Sequence, residues 1–354
     1  MGLPSITIAF QTTGITAIQR SEKGTVALIL RDSAGQGSYD LSDITEIPSG
    51  LSADNTACIQ RAFLGYQYPP KKVLVHVMGT DGQITDGLDW AETQEFDYLC
   101  GPLDLNSSDA ASIASWVKSQ RENEDRKFKA VLPNQAADHE GVINFTTTGI
   151  QTADDTFTTA EFCSRIAGLI AGTPMILSCT YAPLPEVVDI DRLTRSEADE
   201  AVDGGEFILI HDGEKVKVGR GVNSFVTTAE GKGDAFKKIK IVEAMDMIRF
   251  DIRRTAEDSY IGKYANSYDN KCLLISAIKG YFEQLELDGI LEAGASEVGI
   301  DLDAQRVYLK SKGVDVSEMT DQEIKEAGTD DEVFLYAKIQ ILDAIEDITL
   351  NITI

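Results

Sequence analysis

The feature that most narrows the choice of fold is a regular alternation of short apolar runs and amphipathic stretches across the first half of the chain. Residues 26–30 are apolar throughout, the mark of a strand covered on both faces. Residues 54–64 follow with Ala57, Cys58, Arg61 and Ala62 crowding one side, which is helical spacing. Val73, Val75 and Val77 predict a second strand, residues 85–93 a short helix, and residues 96–99 a third strand stopped by Gly101-Pro102. Ser108 is placed to cap a helix through Arg121, with Ile113, Trp116 and Val117 inward. Residues 128–132 form a strand ended by Pro133. Thr159 opens a helix bearing Phe162, Ile166 and Leu169, closed by Gly172 and Pro174. Residues 175–180 read as one more strand. Strands alternating with helices imply a sheet with parallel pairs, so the expectation is an α/β domain: a mixed sheet covered by helices.

The pattern then changes. Residues 207–211 and 215–219 flank Asp212-Gly213, a strong hairpin turn. Residues 227–234 are polar and glycine-rich and read as a domain boundary, in keeping with a chain of 354 residues, too long for one core. Beyond it, Phe236, Ile239, Val242, Met245, Ile248 and Ile252 recur every three or four residues, an amphipathic helix. A second helix is expected over 270–287 with Leu274, Ile278, Tyr281 and Leu285 on its face. Residues 305–309 and 333–341 read as strands; in the latter Val333, Leu335, Ala337, Ile339 and Ile341 share one side. This part is α+β.

Both extremities carry a strict period of two. Ile6, Ile8 and Phe10 alternate with Thr7, Ala9 and Gln11; Ile348, Leu350, Ile352 and Ile354 alternate with Thr349, Asn351 and Thr353. A one-faced edge strand is a hazard unless it is paired. Seven residues in strand form reach roughly 23 Å, far enough to leave the parent domain. Such arms either pair within their own subunit or add to a neighbour's sheet, where main-chain hydrogen bonds give strength and the apolar row fixes register.

A search for chemistry finds little. The three histidines, His76, His139 and His211, fall in no metal-ligand spacing. The segment Gly231-Lys232-Gly233 lacks the remaining residues of a phosphate-binding loop, Gly219-Arg220-Gly221 lacks the third glycine of a dinucleotide fingerprint, and residues 81–89 miss the spacing of a calcium loop. No catalytic, cofactor-binding or metal residue is assigned. Five cysteines at wide spacing, with no CxxC pair, suit reduced thiols. A net charge of −26 disfavours nucleic acid and anionic membranes as partners and keeps a concentrated protein soluble. The start of the chain has no basic, apolar leader and no run approaches a membrane span, so synthesis and folding in a cytosol, without membrane insertion, are expected.

Against that acidic background, residues 215–254 hold ten Lys/Arg and five Asp/Glu. Lys237, Lys238 and Lys240 sit at the start of the first late helix, where cations oppose the helix dipole. They serve either an acidic partner or the chain's own carboxylates.

The stretch Gly221-Val222-Asn223-Ser224-Phe225, then Phe236-Lys237-Lys238-Ile239-Lys240 running into Glu243-Ala244-Met245-Asp246-Met247-Ile248, resembles the C-terminal region of contractile tail sheath proteins. Asp251-Ile252-Arg253, Tyr260-Ile261-Gly262-Lys263, the turn over 266–270, Tyr281-Phe282 and the final residues 336–354 continue the likeness. It is similar to the short sheaths of Gram-positive myophages and phage-tail-like bacteriocins.

The resemblance implies a non-enzymatic structural subunit that needs no cofactor. It implies an N-terminal arm (1–20), an outer α/β domain (21–230), a tube-facing α+β domain (231–345) and a C-terminal arm (346–354). The arms, with Ile6, Ile8, Phe10, Ile348, Leu350, Ile352 and Ile354, would pair with an acceptor strand bearing Leu335, Ala337, Ile339 and Ile341. Lys237, Lys238 and Lys240 would face the tube. Implied partners are further copies of the chain in hexameric rings and a helical polymer, the tail tube protein, and baseplate and terminator proteins. The implied location is the bacterial cytoplasm during assembly and then a virion tail or released particle. The alternatives are a type VI-like secretion sheath component, and a cytosolic α/β enzyme with an unrecognised site.

Overall fold

A computed structural model describes residue 18 and residues 24–353. The expected N-terminal strand with Ile6, Ile8 and Phe10, and the last residue Ile354, lie outside the described residues. Contacts divide the chain into two units. One holds residues 24–247 together with 343–353; the other holds Ile248–Leu342.

The first unit is built on a seven-stranded sheet. In chain order its elements begin with β1 (Thr25–Arg31), β2 (Gly37–Leu41), α1 (Ala53–Phe63), β3 (Lys72–Met78), α2 (Ile84–Glu92) and β4 (Tyr98–Cys100). They continue with α3 (Ser107–Glu122), β5 (Lys129–Pro133), β6 (Val142–Phe145), β7 (Ile150–Thr152), β8 (Thr156–Phe157), α4 (Thr159–Ala171) and β9 (Val187–Asp189). Then come α5 (Arg195–Asp203), β10 (Glu206–Phe207), β11 (Leu209–His211) and β12 (Val216–Val218). The sheet order is β10-β6-β5-β4-β1-β3-β2. All neighbours are parallel except β2, which closes one edge antiparallel to β3.

The period of two sorts each strand between two cores. Val26, Leu28 and Leu30 of β1 join Val73, Val75 and Val77 of β3 under α1 and α4. Ala27 and Ile29 face the other way, onto Ile84 and Leu88 of α2 and Ile113 and Val117 of α3. Each fully buried Ile, Leu or Val contributes about 1.5–3 kcal/mol, which is why the two-sided apolar runs dominate the fold. Helix starts are set by side chains. Ser52 caps α1, and Thr158 with Glu161 forms a capping box on α4. The cap of α3 is Asn106, whose Oδ1 accepts from the amides of Ser108 and Asp109, so Ser108 is already inside the helix.

Two expected strands are replaced. Residues 175–180 form turns, with the Leu177 amide donating to the Pro174 carbonyl at 2.8 Å and Ile176 and Leu177 exposed. Residues 305–309 lie in a helix: Asp301 caps it, Gln305 and Leu309 are buried four residues apart, and Val307 between them is 69% exposed. A strand would have put all three on one face. The expected hairpin is present as β11–β12, while Phe207 belongs to β10 and pairs with β6 in the large sheet.

The helix α6 (Ile239–Thr255) begins within the first unit's residues and ends within the second's. The second unit continues with α7 (Tyr268–Leu287), β13 (Glu297–Ile300), α8 (Leu302–Ser311), α9 (Asp321–Glu326) and β14 (Leu335–Lys338). Ile278, Tyr281 and Leu285 are the buried face of α7. Tyr281 donates to Asp251 Oδ2 at 2.6 Å, tying α7 to the end of α6. A small satellite core of Leu309, Val316 and Ile324 holds α8 and α9 together.

Candidate assembly interface

The sequence between Gly221 and Phe225 fixes where α6 begins. Asn223 is fully buried; its amide nitrogen donates to the Phe236 carbonyl at 2.7 Å and its carbonyl oxygen accepts from the Phe225 amide at 3.0 Å. Ser224 bonds the Val142 carbonyl through its amide, and its hydroxyl donates to the His139 carbonyl at 2.9 Å. The segment is thereby stitched to β6 on one side and to the first turn of α6 on the other. A side chain at position 221 would meet Cys179 Sγ at 2.8 Å, which accounts for glycine there.

The first half of α6 is held by charge. Lys129 of β5 is fully buried, with its ammonium 3.0 Å from Glu243 and 3.1 Å from Asp246. It also lies over the ring of Tyr98 at 5.1 Å, and the Tyr98 hydroxyl donates to Glu243. Arg121 of α3 grips both oxygens of Asp246, at 3.0 and 3.1 Å, and reaches Glu140 at 3.5 Å. Burial opposes both cations, yet the carboxylates hold Arg121 and Lys129 above their ordinary pKa values. Residue-type periodicity could not reveal this cluster, since Lys129 and Asp246 are 117 positions apart.

The last described residues return to the first unit as a held root and a bare tip. Glu346 is nearly buried; its Oε1 accepts from Thr180 Oγ1 at 2.5 Å and lies 3.2 Å from Ser178 Oγ. Arg220 Nε is 3.4 Å from Glu346, and its other end makes two 2.7 Å bonds to Asp347. Lys238 pairs with Asp343 and stands 3.8 Å from Glu346. Beyond this root Ile348, Leu350 and Ile352 are 81%, 76% and 76% exposed and join no ladder in the single chain.

The three helix-start lysines are therefore engaged locally. Lys237 pairs with Asp234 at 2.9 Å, Lys238 with Asp343, and Lys240 donates to the Ile176 carbonyl at 3.1 Å. Burial lowers the pKa of Lys240.

Of the expected acceptor strand, Leu335 and Ala337 lie in β14, which pairs antiparallel with β13 as a two-stranded sheet among the described residues. The pairing resumes beyond the turn at 292–295: Ile341 bridges Leu291, and the Glu292 amide bonds the Gln340 carbonyl. Ala337 is exposed, and Ile339 and Ile341 are half-buried.

The histidines have structural employment. His76 stacks on Trp90 at 5.0 Å, and the Nδ1 atoms of His139 and His211 accept from the amides of Gly141 and Gly213. Four cysteines are buried. Among the described residues no group of three or more His, Cys, Asp or Glu is placed to hold a metal ion, and no helix is long and apolar enough to cross a membrane.

Two family models match this chain: the phage tail sheath protein central domain over residues 79–224 and the phage tail sheath C-terminal domain over residues 231–354. The chain belongs to the phage tail sheath family. The tail sheath protein of Clostridium phage phiCD119 is 38% identical over 99% of both chains. The fold agrees with solved structures of sheath proteins. The sheath tail protein of Desulfitobacterium hafniense superposes with a TM-score of 0.72 at 19% identity, covering 84% of this chain and 94% of that one. The helical sheath of the anti-feeding prophage in its contracted state gives 0.72 at 14% identity over 100% and 99%. The protein is thus a structural sheath subunit of a contractile tail. The sheath motif 221–248 is the stitched and charge-bonded start of α6 described above. The signal that singled it out was family likeness, whereas the partners of Arg121 and Lys129 lay hidden in the tertiary fold.

Proposed function

We propose that the chain polymerises by strand exchange: the C-terminal segment of one subunit adds to the β13–β14 pair of a neighbour, and the N-terminal strand with Ile6, Ile8 and Phe10 does the same. The observation that carries this reading is the exposed row Ile348, Leu350 and Ile352, which follows directly on a root held by ion pairs. Such a row has an apolar face and a full set of main-chain donors and acceptors to offer. Leu335, Ala337, Ile339 and Ile341 mark the receiving strand. The product is a stack of hexameric rings around a tail tube, which contracts without catalysing a reaction. The domains would reorient as rigid bodies while the arms keep the mesh connected. The division of labour is an outer α/β part through residue 230 and a tube-facing part from residue 231, with Lys237, Lys238 and Lys240 towards an acidic tube. Baseplate and terminator proteins complete the partners, and assembly takes place in the host cytoplasm before release in a virion or particle.

The test is negative-stain electron microscopy of the purified chain beside a version lacking residues 348–354. Hollow striated tubes from the full chain alone are expected. Tubes from both would remove the C-terminal arm from the mechanism. No tubes from either, with tube protein supplied, would remove polymerisation by this route.

A further inference from the structure

Apolar exchange strands carry a cost that the root addresses. A free tail must be ordered when it pairs, at about 1–2 kcal/mol per residue of backbone. Here the order is partly present before any neighbour arrives. Within five residues, Asp343, Glu346 and Asp347 each meet a cation or a hydroxyl of the first unit: Lys238, Arg220, Ser178 and Thr180. The receiving groups are themselves positioned. Thr180 Oγ1 accepts from the Gly221 amide at 2.9 Å, and Lys238 is held by the bridge between its own backbone and Val222. Ile345, between the acidic residues, is 87% exposed. The segment is thus attached through its acidic side chains, while Ile345 between them points to solvent.

We propose that Arg220 and Lys238 form an electrostatic latch that sets the direction of the C-terminal segment, so that its apolar row is presented ready for capture by a second copy of the chain. The inference rests on the strand-exchange reading and names the residues that prepare it. Arg220 and Lys238 are positioning residues: they touch the root and leave the exchanged strand untouched. The pairs to Asp343 and Asp347 are exposed or half-exposed, so this part of the latch is weak enough to yield when the lattice needs another angle, while Glu346 is the more buried anchor.

A nitroxide at Ile345→Cys, in a Cys272→Ser background, reports root mobility in the full-length chain below its polymerisation threshold. Three forms are compared: the latch-intact chain, Arg220→Glu, and the charge exchange Arg220→Glu with Asp347→Arg. The same substitutions without label are assayed for the critical concentration of tube formation. Arg220→Glu should sharpen the spectrum to free motion and raise the critical concentration about tenfold, the equivalent of ordering one residue at about 1.4 kcal/mol. The exchange should restore part of each, because Glu346 still faces position 220. An unchanged spectrum overturns the latch. A sharpened spectrum with an unchanged threshold also overturns it, since the root would then be held to no purpose in assembly. Tubes from the chain lacking 348–354 would instead defeat the underlying exchange reading, so the two failures are distinguishable.

Discussion

Asp246 shows what a single side chain does here. It faces two buried cations, Arg121 and Lys129, at 3.0–3.1 Å. A buried ion cluster gains little net stability while complete, because desolvation offsets the attraction, but a missing partner leaves charge stranded. Asp246→Ala should therefore cost about 3–5 kcal/mol, lowering the thermal midpoint of the unassembled chain by on the order of ten degrees. A shift within two degrees would mean that water or neighbouring carboxylates replace it. At this scale the sequence was readable for apolar residues, whose spacing alone sorts Val26, Leu28 and Leu30 from Ala27 and Ile29. It was unreadable for Lys129, whose burial depends on a helix more than a hundred residues away.

Elements follow local signals when one face meets a large core, and depart from them otherwise. The strands β1, β3 and β5 and the helices α1, α3 and α4 lie close to where their periodicity puts them. The short β2 and β6 carried too little pattern to stand out, and α5 buries no side chain at all. Residues 175–180 have the composition of a strand, but Pro174 anchors a turn there. Residues 305–309 alternate by chance within a helix whose cap at Asp301 is the better guide. Packing between elements has its own fine print. A Cβ at Gly168 of α4 would stand 1.9 Å from the Ala62 carbonyl oxygen of α1, so the two helices touch at backbone distance. Gly168→Ala gains helix propensity of up to about 1 kcal/mol yet forces the pair apart, at about 1–3 kcal/mol for overpacking. Chemical denaturation should show a lower midpoint. A higher one would show that α1 shifts freely.

For the whole molecule, the charge balance is uneven in a useful way. A net charge of −26 keeps subunits apart at low concentration, while residues 215–254 offer the main basic region. If that region meets an acidic tube, Lys237→Glu with Lys240→Glu should weaken co-sedimentation with tube protein and spare self-assembly. Lys238 is left in place because it also holds Asp343. Unchanged co-sedimentation would send the tube contact elsewhere. The family likeness led to the expectation of two arms and of a division after residue 230; contacts instead divide the chain after Met247, and the return of residues 343–353 to the first unit was not legible, since only tertiary contacts record it. That return has a mechanical meaning. Tension applied to the C-terminal tip meets the Arg220 and Lys238 pairs before it reaches β14, so the α/β unit takes the first share of the pull.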